Sequence, residues 1–157
     1  MNPPIILGCD PGLSGAVAAL DAATGTLLWV EDCPVVDRMV NGSELADWLR
    51  GELIKAAAVE QVASRPGQGV ASTFKFGQAH GTLLGVLGAL NVPVVHVTPG
   101  RWKKALGLTS DKEKSRRLAI ETWPNMSGYF ARKKDEGRAE AALIGRWCWQ
   151  QQRKVAA

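Results

Sequence analysis

The sequence has few of the residues that build disulfide frameworks or zinc sites. Its 157 residues include only 3 cysteines and 2 histidines, and no pair of cysteines shows C-x-x-C spacing. An odd, scattered set of cysteines argues against both kinds of site and fits a reducing cytosol. Cys9 and Cys148 lie within apolar patterns, where a free thiol behaves as a small hydrophobic residue, so we expect neither to be catalytic.

Long apolar runs are also missing. No stretch approaches the ~20 apolar residues that cross a bilayer, and neither a basic region nor a cleavage signal precedes the apolar run that begins at Ile5. We therefore expect no membrane partner and a protein that stays where it is made. With 46% hydrophobic and 22% charged residues, the composition is typical of one compact domain spanning residues 1–157.

The charge of the chain is unevenly distributed. Residues 1–97 have a net charge of −4, whereas residues 98–157 have a net charge of +8. A basic half suggests a polyanionic partner, although the same excess of lysine and arginine is found on solvated helix faces. Charge alone leaves both interpretations open.

The hydrophobic pattern predicts an α/β domain. Apolar runs indicate strands at residues 5–10, 15–20, 26–30, 56–62 and 92–97. Helical periodicity indicates helices from residue 43 and at residues 73–90, 101–106, 111–123 and 138–151. Strands followed by alternating helices and strands are typical of a mixed sheet covered by helices, with its first three strands antiparallel.

Two acidic residues, Asp10 and Glu60, lie within apolar runs that predict buried strands. Asp10 ends an apolar strand before Pro11 and Gly12, so it either caps a turn or belongs to a site. Glu60 lies within the buried-strand pattern AAAVEQV. Burying an unpaired carboxylate is very costly, so Glu60 needs a neighbouring cation, either a metal ion or an arginine.

Three further acids, Asp135, Glu136 and Glu140, surround the predicted start of the last helix. Acids at this position complement the helix dipole, but Glu136 and Glu140 are also like charges four residues apart, a spacing that a cation would stabilise. A carboxylate cluster without histidine or cysteine selects Mg²⁺ or Mn²⁺ over zinc. Two such ions perform phosphodiester cleavage without a side-chain nucleophile.

Together these segments resemble the RuvC-type Holliday-junction resolvases, most closely the branch with bacteriophage members and the chloroplast junction resolvase. The match covers nearly the whole chain in family order and rests on the blocks ILGCDPGLSGA (6–16), VEQ (59–61), FGQAHG (76–81), WKKALGL (102–108), KEKSRR (112–117) and KKDEGRAEA (133–141). Each block alone is a weak signal, but their order and spacing make a strong one.

The resemblance implies a ribonuclease H-like fold with a mixed five-stranded sheet, and a homodimer that makes paired symmetric nicks in four-way junctions, leaving 5′-phosphate and 3′-hydroxyl ends. It also implies two Mg²⁺ ions per site, with Mn²⁺ able to substitute, and no nucleotide cofactor. The implied metal ligands are Asp10, Glu60, Asp135 and Glu140, and Lys112 matches a basic residue beside the scissile phosphate.

The chain departs from the family pattern at two positions. Gly137 stands where many members carry an acid, so Asp135 and Glu136 compete for the remaining ligand position, and we favour Asp135. Ala63 stands where bacterial members can carry an aromatic wedge, and Phe74 could take over stacking on an unpaired base, unless it is a core residue.

Further DNA contacts are expected from basic and polar side chains, which bind phosphates without reading sequence. Besides Phe74, which would stack rather than bind phosphate, the candidates are Gln68, Lys75, Lys103, Lys104, Lys112, Lys114, Arg116, Arg117, Arg132, Lys133 and Lys134. Some of these could equally be solvated surface residues. The resemblance also leads us to expect a cytoplasmic, nucleoid-associated protein encoded by a bacterium or bacteriophage.

Three other functions are compatible with parts of this pattern. A nuclease of the same fold could act on forks, flaps or RNA hybrids, and the sequence does not separate these substrates from junctions. A non-catalytic junction-binding module would keep the basic helices but does not need the acids. An actin-like or sugar-kinase ATPase also begins with a strand ending in Asp-x-Gly, but it needs roughly twice this length.

Overall fold

The fold was obtained as a computed structural model, which describes residues 2–61 and 63–157. Its strands are β1 (Ile5–Asp10), β2 (Ala16–Asp21), β3 (Leu27–Asp32), β4 (Val35–Val36), β5 (Met39–Val40), β6 (Ile54–Glu60) and β7 (Val94–Val97). Its α-helices are α1 (Gly42–Leu49), α2 (Val70–Ala89), α3 (Pro99–Ala105), α4 (Lys112–Thr122) and α5 (Glu136–Ala156). Two 3₁₀ segments, Pro124–Phe130 and Lys133–Asp135, connect α4 to α5.

The main sheet has the order β3-β2-β1-β6-β7. The pairs β1–β2 and β2–β3 are antiparallel, whereas β1–β6 and β6–β7 are parallel. This confirms the predicted mixed sheet with three antiparallel strands at its start. The central strand β1 is buried along nearly its whole length because helices cover both faces of the sheet, which explains why its sequence is apolar without alternation.

One face of the sheet is covered by α5. Gly8 in β1 lies against this helix, and a Cβ added at Gly8 would collide with backbone atoms of Ala141 and Gly145. Two glycines therefore let α5 approach the central strand more closely than larger residues would permit. This close packing fixes the height of α5 above the sheet, and with it the position of Glu140 near the helix start.

The other face is covered by α1 and α2. Leu45 and Leu49 of α1, together with Leu83 and Leu87 of α2, are buried in the same apolar cluster as β1 residues such as Leu7. The side chain of Asn41 caps α1 by accepting a hydrogen bond from the Glu44 amide, which defines the helix start. Both layers were expected from the helical periodicity.

Several local features differ from the sequence-based prediction. The hairpin of β4 and β5 was not predicted, α2 begins earlier than residue 73, and α5 runs from Glu136 to Ala156 rather than from 138 to 151. β7 is shorter than residues 92–97. The predicted strand 56–62 begins at Ile54, and Val62 lies outside the described residues. In the described ranges we find no helix with the length and apolar character of a membrane span.

Candidate active site

Three acids from distant parts of the chain meet at one edge of the sheet. Asp10 and Glu60 are the last residues of β1 and β6, and because these parallel neighbours end at the same edge, their side chains lie together. Glu140 reaches them from the beginning of α5. One carboxylate oxygen from each of the three residues lies within 4.8 Å of the others. These are three of the four acids that the family resemblance implied as metal ligands, and their role as ligands stays a prediction.

The electrostatics of these acids are unfavourable for negative charge. Burial raises the pKa of Asp10 well above its usual range, and the carboxylates of Glu140 and Glu60 raise it further. Burial also raises the pKa of Glu60, although a hydrogen bond from Trp102 opposes this shift. Clustered carboxylates with raised pKa values are a recognised sign of a functional site. A hard divalent cation, which prefers oxygen ligands, fits this donor set.

Two lysines lie against the acids. Lys103 Nζ is 2.9 Å from Glu140 Oε1, and both side chains are largely buried, with 15% and 10% exposed. Lys112 Nζ is 3.1 Å from Glu136 Oε2, and its side chain is 58% exposed. Lys103, which was predicted only as a phosphate contact, therefore belongs to the acid cluster itself.

The hydrogen-bond partner of Glu60 is a tryptophan. Trp102 Nε1 donates to Glu60 Oε2 at 2.7 Å. The alternative raised from the sequence, a salt bridge between Glu60 and an arginine, is not found among the ion pairs of the described residues. An indole N–H cannot neutralise the carboxylate, so its charge still calls for a cation.

The structure does not bring Asp135 to the cluster. Its carboxylate is 2% exposed and accepts hydrogen bonds from the backbone amide and the guanidinium of Arg132. Hydrogen bonding from the Arg132 side chain holds the pKa of Asp135 below its usual value. On this geometry we favour Glu136 over Asp135 for the remaining ligand position, because the carboxylate of Asp135 closes a local turn whereas Glu136 lines the groove beside Glu140.

The loop after β1 explains why Gly137 departs from the family pattern. A Cβ added at Gly137 would collide with the backbone carbonyl of Ser14. An acid at this position would require the loop to move. The chain therefore offers Glu136, one position earlier, as its candidate fourth acid.

The acids open onto a groove of about 1160 Å³. Five of the predicted DNA-contact residues line it, namely Gln68, Lys75, Lys103, Lys112 and Lys134. The loop 65–69, expected to approach DNA near the metals, contributes Arg65 and Gln68 to the same wall. The groove thus joins an acidic centre to a rim that carries lysine and arginine.

A curated relative decides the family. The crossover junction endodeoxyribonuclease RuvC of Nitratidesulfovibrio vulgaris is 32% identical over an alignment of 119 residues, and the match covers 69% of this chain and 70% of that protein. The chain belongs to the RuvC family of Holliday-junction resolvases. No protein-family model matches it.

Solved RuvC-like structures share the fold. The RuvC of Thermus thermophilus in complex with a Holliday junction substrate has a TM-score of 0.68 at 18% identity, over 95% of both chains. The Holliday junction resolvase of fowlpox virus has a TM-score of 0.63 at 14% identity, over 94% of this chain and 99% of that one. The ribonuclease H-like fold is thereby confirmed. The closer likeness to bacteriophage and chloroplast members stays a prediction.

Some DNA contacts predicted for this RuvC-family chain are occupied elsewhere. Arg116 donates to the carbonyls of Phe130 and Ala131 and pairs with Glu113, leaving 12% of its side chain exposed. These contacts hold the Arg116 guanidinium against the end of the 3₁₀ segment after α4, so we expect Arg116 to stabilise the fold rather than to bind phosphate. Arg132 is engaged by Asp135, although its side chain is 57% exposed.

The remaining predicted contacts are exposed but lie outside the groove lining. They are Phe74, Lys104, Lys114, Arg117 and Lys133. Phe74 is 70% exposed, so it is not a core residue, and its stacking role stays a prediction.

The sequence analysis missed Phe76 and Trp102 as site residues. Phe76, 45% exposed, lines the groove beside Gly12, and only the family block FGQAHG pointed to it. Trp102 had a general signal, since a buried indole needs an acceptor, but the sequence does not tell which acceptor.

Proposed function

We propose that this chain is a divalent-metal-dependent endonuclease that resolves four-way DNA junctions by paired nicks. The observation that carries the proposal is the cluster of Asp10, Glu60 and Glu140 at the base of a groove rimmed by basic residues. Membership of the RuvC family supports it. So do the two solved structures named above, one of a RuvC in complex with a Holliday junction substrate and one of a Holliday junction resolvase.

The proposed cofactor is Mg²⁺, with Mn²⁺ able to substitute and two ions per site. Asp10, Glu60 and Glu140 would hold the ions, and Glu136, rather than Asp135, would complete the set. An all-oxygen donor set matches these hard cations. When bound, such ions lower the pKa of the attacking water and stabilise the departing 3′ oxygen, so the products would carry 5′-phosphate and 3′-hydroxyl ends.

The basic side chains of the groove would bind and orient the DNA strand. Lys112, with its Nζ on Glu136 and most of its side chain exposed, can turn towards a phosphate oxygen while staying near the acids. Lys75 and Lys134 stand further along the groove. Such contacts give affinity that falls with salt and carries little sequence information.

The single ribonuclease H-like domain would act as a homodimer. A four-way junction is nearly two-fold symmetric, so a two-fold dimer presents one active site to each of two opposed strands. The exposed side of α2 supports this arrangement, because a Cβ added at Gly77, Gly81, Gly85 or Gly88 would meet no atom within 4 Å and a second backbone can approach closely there. Light scattering should give twice the chain mass, and a monomeric mass at working concentrations would contradict the dimer.

The test uses labelled four-way junction, fork and plain duplex, each incubated with Mg²⁺. We expect symmetric nicks in the junction that ligase can reseal, and loss of cleavage in Asp10→Asn and Glu60→Gln. Equal cleavage of all three substrates would reject junction specificity. Full activity in either variant would reject the proposed centre. For a junction-resolving nuclease we also expect a cytoplasmic, nucleoid-associated protein.

A further inference from the structure

Trp102 is buried next to the acid cluster. It lies in α3, is 0% exposed and belongs to the apolar core that α5 covers. An indole N–H can only donate, and a buried donor without an acceptor is costly. The acceptor is Glu60 Oε2 at 2.7 Å, on a residue 42 positions away in the chain. The fold, rather than sequence proximity, creates this contact.

A short chain segment from the end of β7 into α3 places the Trp102 indole beside Glu60. β7 pairs in parallel with β6, with Val97 opposite Glu60. Thr98 then caps α3 through its side chain, and Pro99 occupies the first turn, which favours a helix start at this point. The helix therefore begins directly beside the end of β6, and its next turn carries Trp102.

The same helix controls a second acid of the cluster. Lys103, the residue after Trp102, contacts Glu140 at 2.9 Å, and its Nζ lies 5.2 Å from the Trp102 ring. Neighbouring residues of α3 thus hold Glu60 and Glu140 by different means. Lys103 supplies a positive charge to Glu140, whereas the Trp102 indole supplies only a directional hydrogen bond to Glu60.

Glu60 needs such a directional contact. Its side chain is long, it stands at the end of a strand, and the like charges of Asp10 and Glu140 repel it. The hydrogen bond to Trp102 engages one carboxylate oxygen, so the group cannot swing out of the cluster without leaving a buried indole N–H unpaired.

We propose that Trp102 is a positioning residue whose indole N–H holds Glu60 within the cluster of Asp10 and Glu140 and thereby sets the affinity of the site for divalent cations. This inference rests on the proposed metal-dependent nuclease function. Partners of metal ligands typically change metal affinity by about 10- to 100-fold when they are removed.

The test removes the N–H while keeping the shape of the ring. Position 102 is substituted with 3-benzothienylalanine, in which sulfur replaces the indole N–H, and in parallel with phenylalanine as Trp102→Phe. Mn²⁺ binding to the DNA-free protein is measured by calorimetry. We expect about 10- to 100-fold weaker binding in both variants. In junction cleavage the Mn²⁺ concentration for half-maximal rate should rise more than the maximal rate falls.

Trp123→Phe is the matched control. Trp123 is also buried, and its Nε1 donates to the carbonyl of Gly25 at 3.3 Å, so the control loses an indole hydrogen bond and the same ring volume away from the acids. Its Mn²⁺ affinity should equal that of wild type. In a Glu60→Gln background, Trp102→Phe should weaken Mn²⁺ binding no further, because the two residues act as a unit.

The outcomes separate this inference from the proposed function. Wild-type Mn²⁺ affinity in the benzothienyl variant overturns the role of Trp102 and leaves the nuclease proposal standing. An equal loss in Trp123→Phe overturns it too, since the effect would then be one of packing. If the wild type shows no saturable Mn²⁺ binding that Glu60→Gln weakens, the metal centre itself is rejected. The isosteric variant settles the matter even if Trp102→Phe does not fold.

Discussion

Two carboxylates only five residues apart, Asp135 and Glu140, are both buried but have opposite environments. Asp135 is matched by Arg132 in a turn of its own, and its pKa is lowered. Glu140 joins Asp10 and Glu60, whose pKa values are raised first by burial and further by the neighbouring carboxylates, with no arginine of the described residues paired to them. The comparison teaches that burial of an acid does not by itself mark a site. What marks it is a deficit of positive charge.

The basic residues beside the acid cluster and beside Asp135 also differ. Lys103 contacts Glu140 and Lys112 contacts Glu136, so the cluster is partly neutralised by side chains that can also serve phosphate. At Asp135 the arginine is bound by two guanidinium hydrogen bonds to a single carboxylate. A bound cation and a DNA strand can displace the lysines from the cluster acids. The Arg132–Asp135 pair has a fixed two-bond geometry and stays together.

The largest expected effect comes from removing charge at the cluster. Asp10→Asn should reduce the rate of junction cleavage by at least about 100- to 1000-fold, because several kcal/mol of transition-state stabilisation depend on the held cation. The same substitution should raise the melting temperature in EDTA, by about 2–4 °C per kcal/mol of relieved repulsion. Cleavage assays and thermal unfolding check both effects. A lower melting temperature together with normal cleavage would show that Asp10 is a structural residue and not part of a cation site.

Asp135→Asn should reduce stability and leave metal binding unchanged, the opposite of Asp10→Asn. It removes the buried carboxylate that accepts hydrogen bonds from Arg132. We expect this to lower the free energy of unfolding by about 1–3 kcal/mol, while Mn²⁺ affinity stays at the wild-type value. Glu136→Gln is the paired variant, for which we expect weaker Mn²⁺ binding and little change in stability. Urea unfolding and calorimetry on both variants provide the measurement. Weaker Mn²⁺ binding in Asp135→Asn alone would restore Asp135 as the ligand.

The pH dependence of stability should show the Asp135 pair separately. Because Arg132 lowers the pKa of Asp135 in the folded state, the stabilisation is present above the unfolded value near pH ~4. It is lost as the pH falls through the lowered folded value. Wild type should therefore lose more stability than Asp135→Asn below about pH 4, measured by urea unfolding in EDTA across the acid range. Parallel losses in the two proteins would contradict the prediction.

Much of the site follows from the strand order. Once β1 and β6 are recognised as parallel neighbours, Asp10 and Glu60 must end at the same edge, and the family blocks supply both residues. The choice between Asp135 and Glu136 could not be made this way. A shift of one residue at a helix start turns the side chain to a different side, and the contact of Gly137 with the loop at Ser14 depends on tertiary packing.

The features that escaped the sequence analysis share a physical cause. The β4–β5 hairpin turns through Asp37 and Arg38, both with positive φ, although such turns usually contain glycine or asparagine. Arg116 was predicted as a phosphate contact, but its guanidinium donates to the carbonyls of Phe130 and Ala131, at and just after the end of the neighbouring 3₁₀ segment. In each case long-range contacts override the local preference.

The smallest expected effect distinguishes groove lysines from structural arginines. Lys134→Gln should weaken junction binding and reduce the slope of log affinity against log salt by about 1, since Lys134 lines the groove and would neutralise a phosphate. Arg116→Gln should leave this slope unchanged and lower stability, because its guanidinium serves Glu113 and two backbone carbonyls. Binding titrations at several salt concentrations, with catalysis blocked by EDTA, measure the slopes. Equal slopes for Lys134→Gln and wild type would remove Lys134 from the DNA path, and a reduced slope in Arg116→Gln would show that an arginine saturated by protein contacts can still reach DNA.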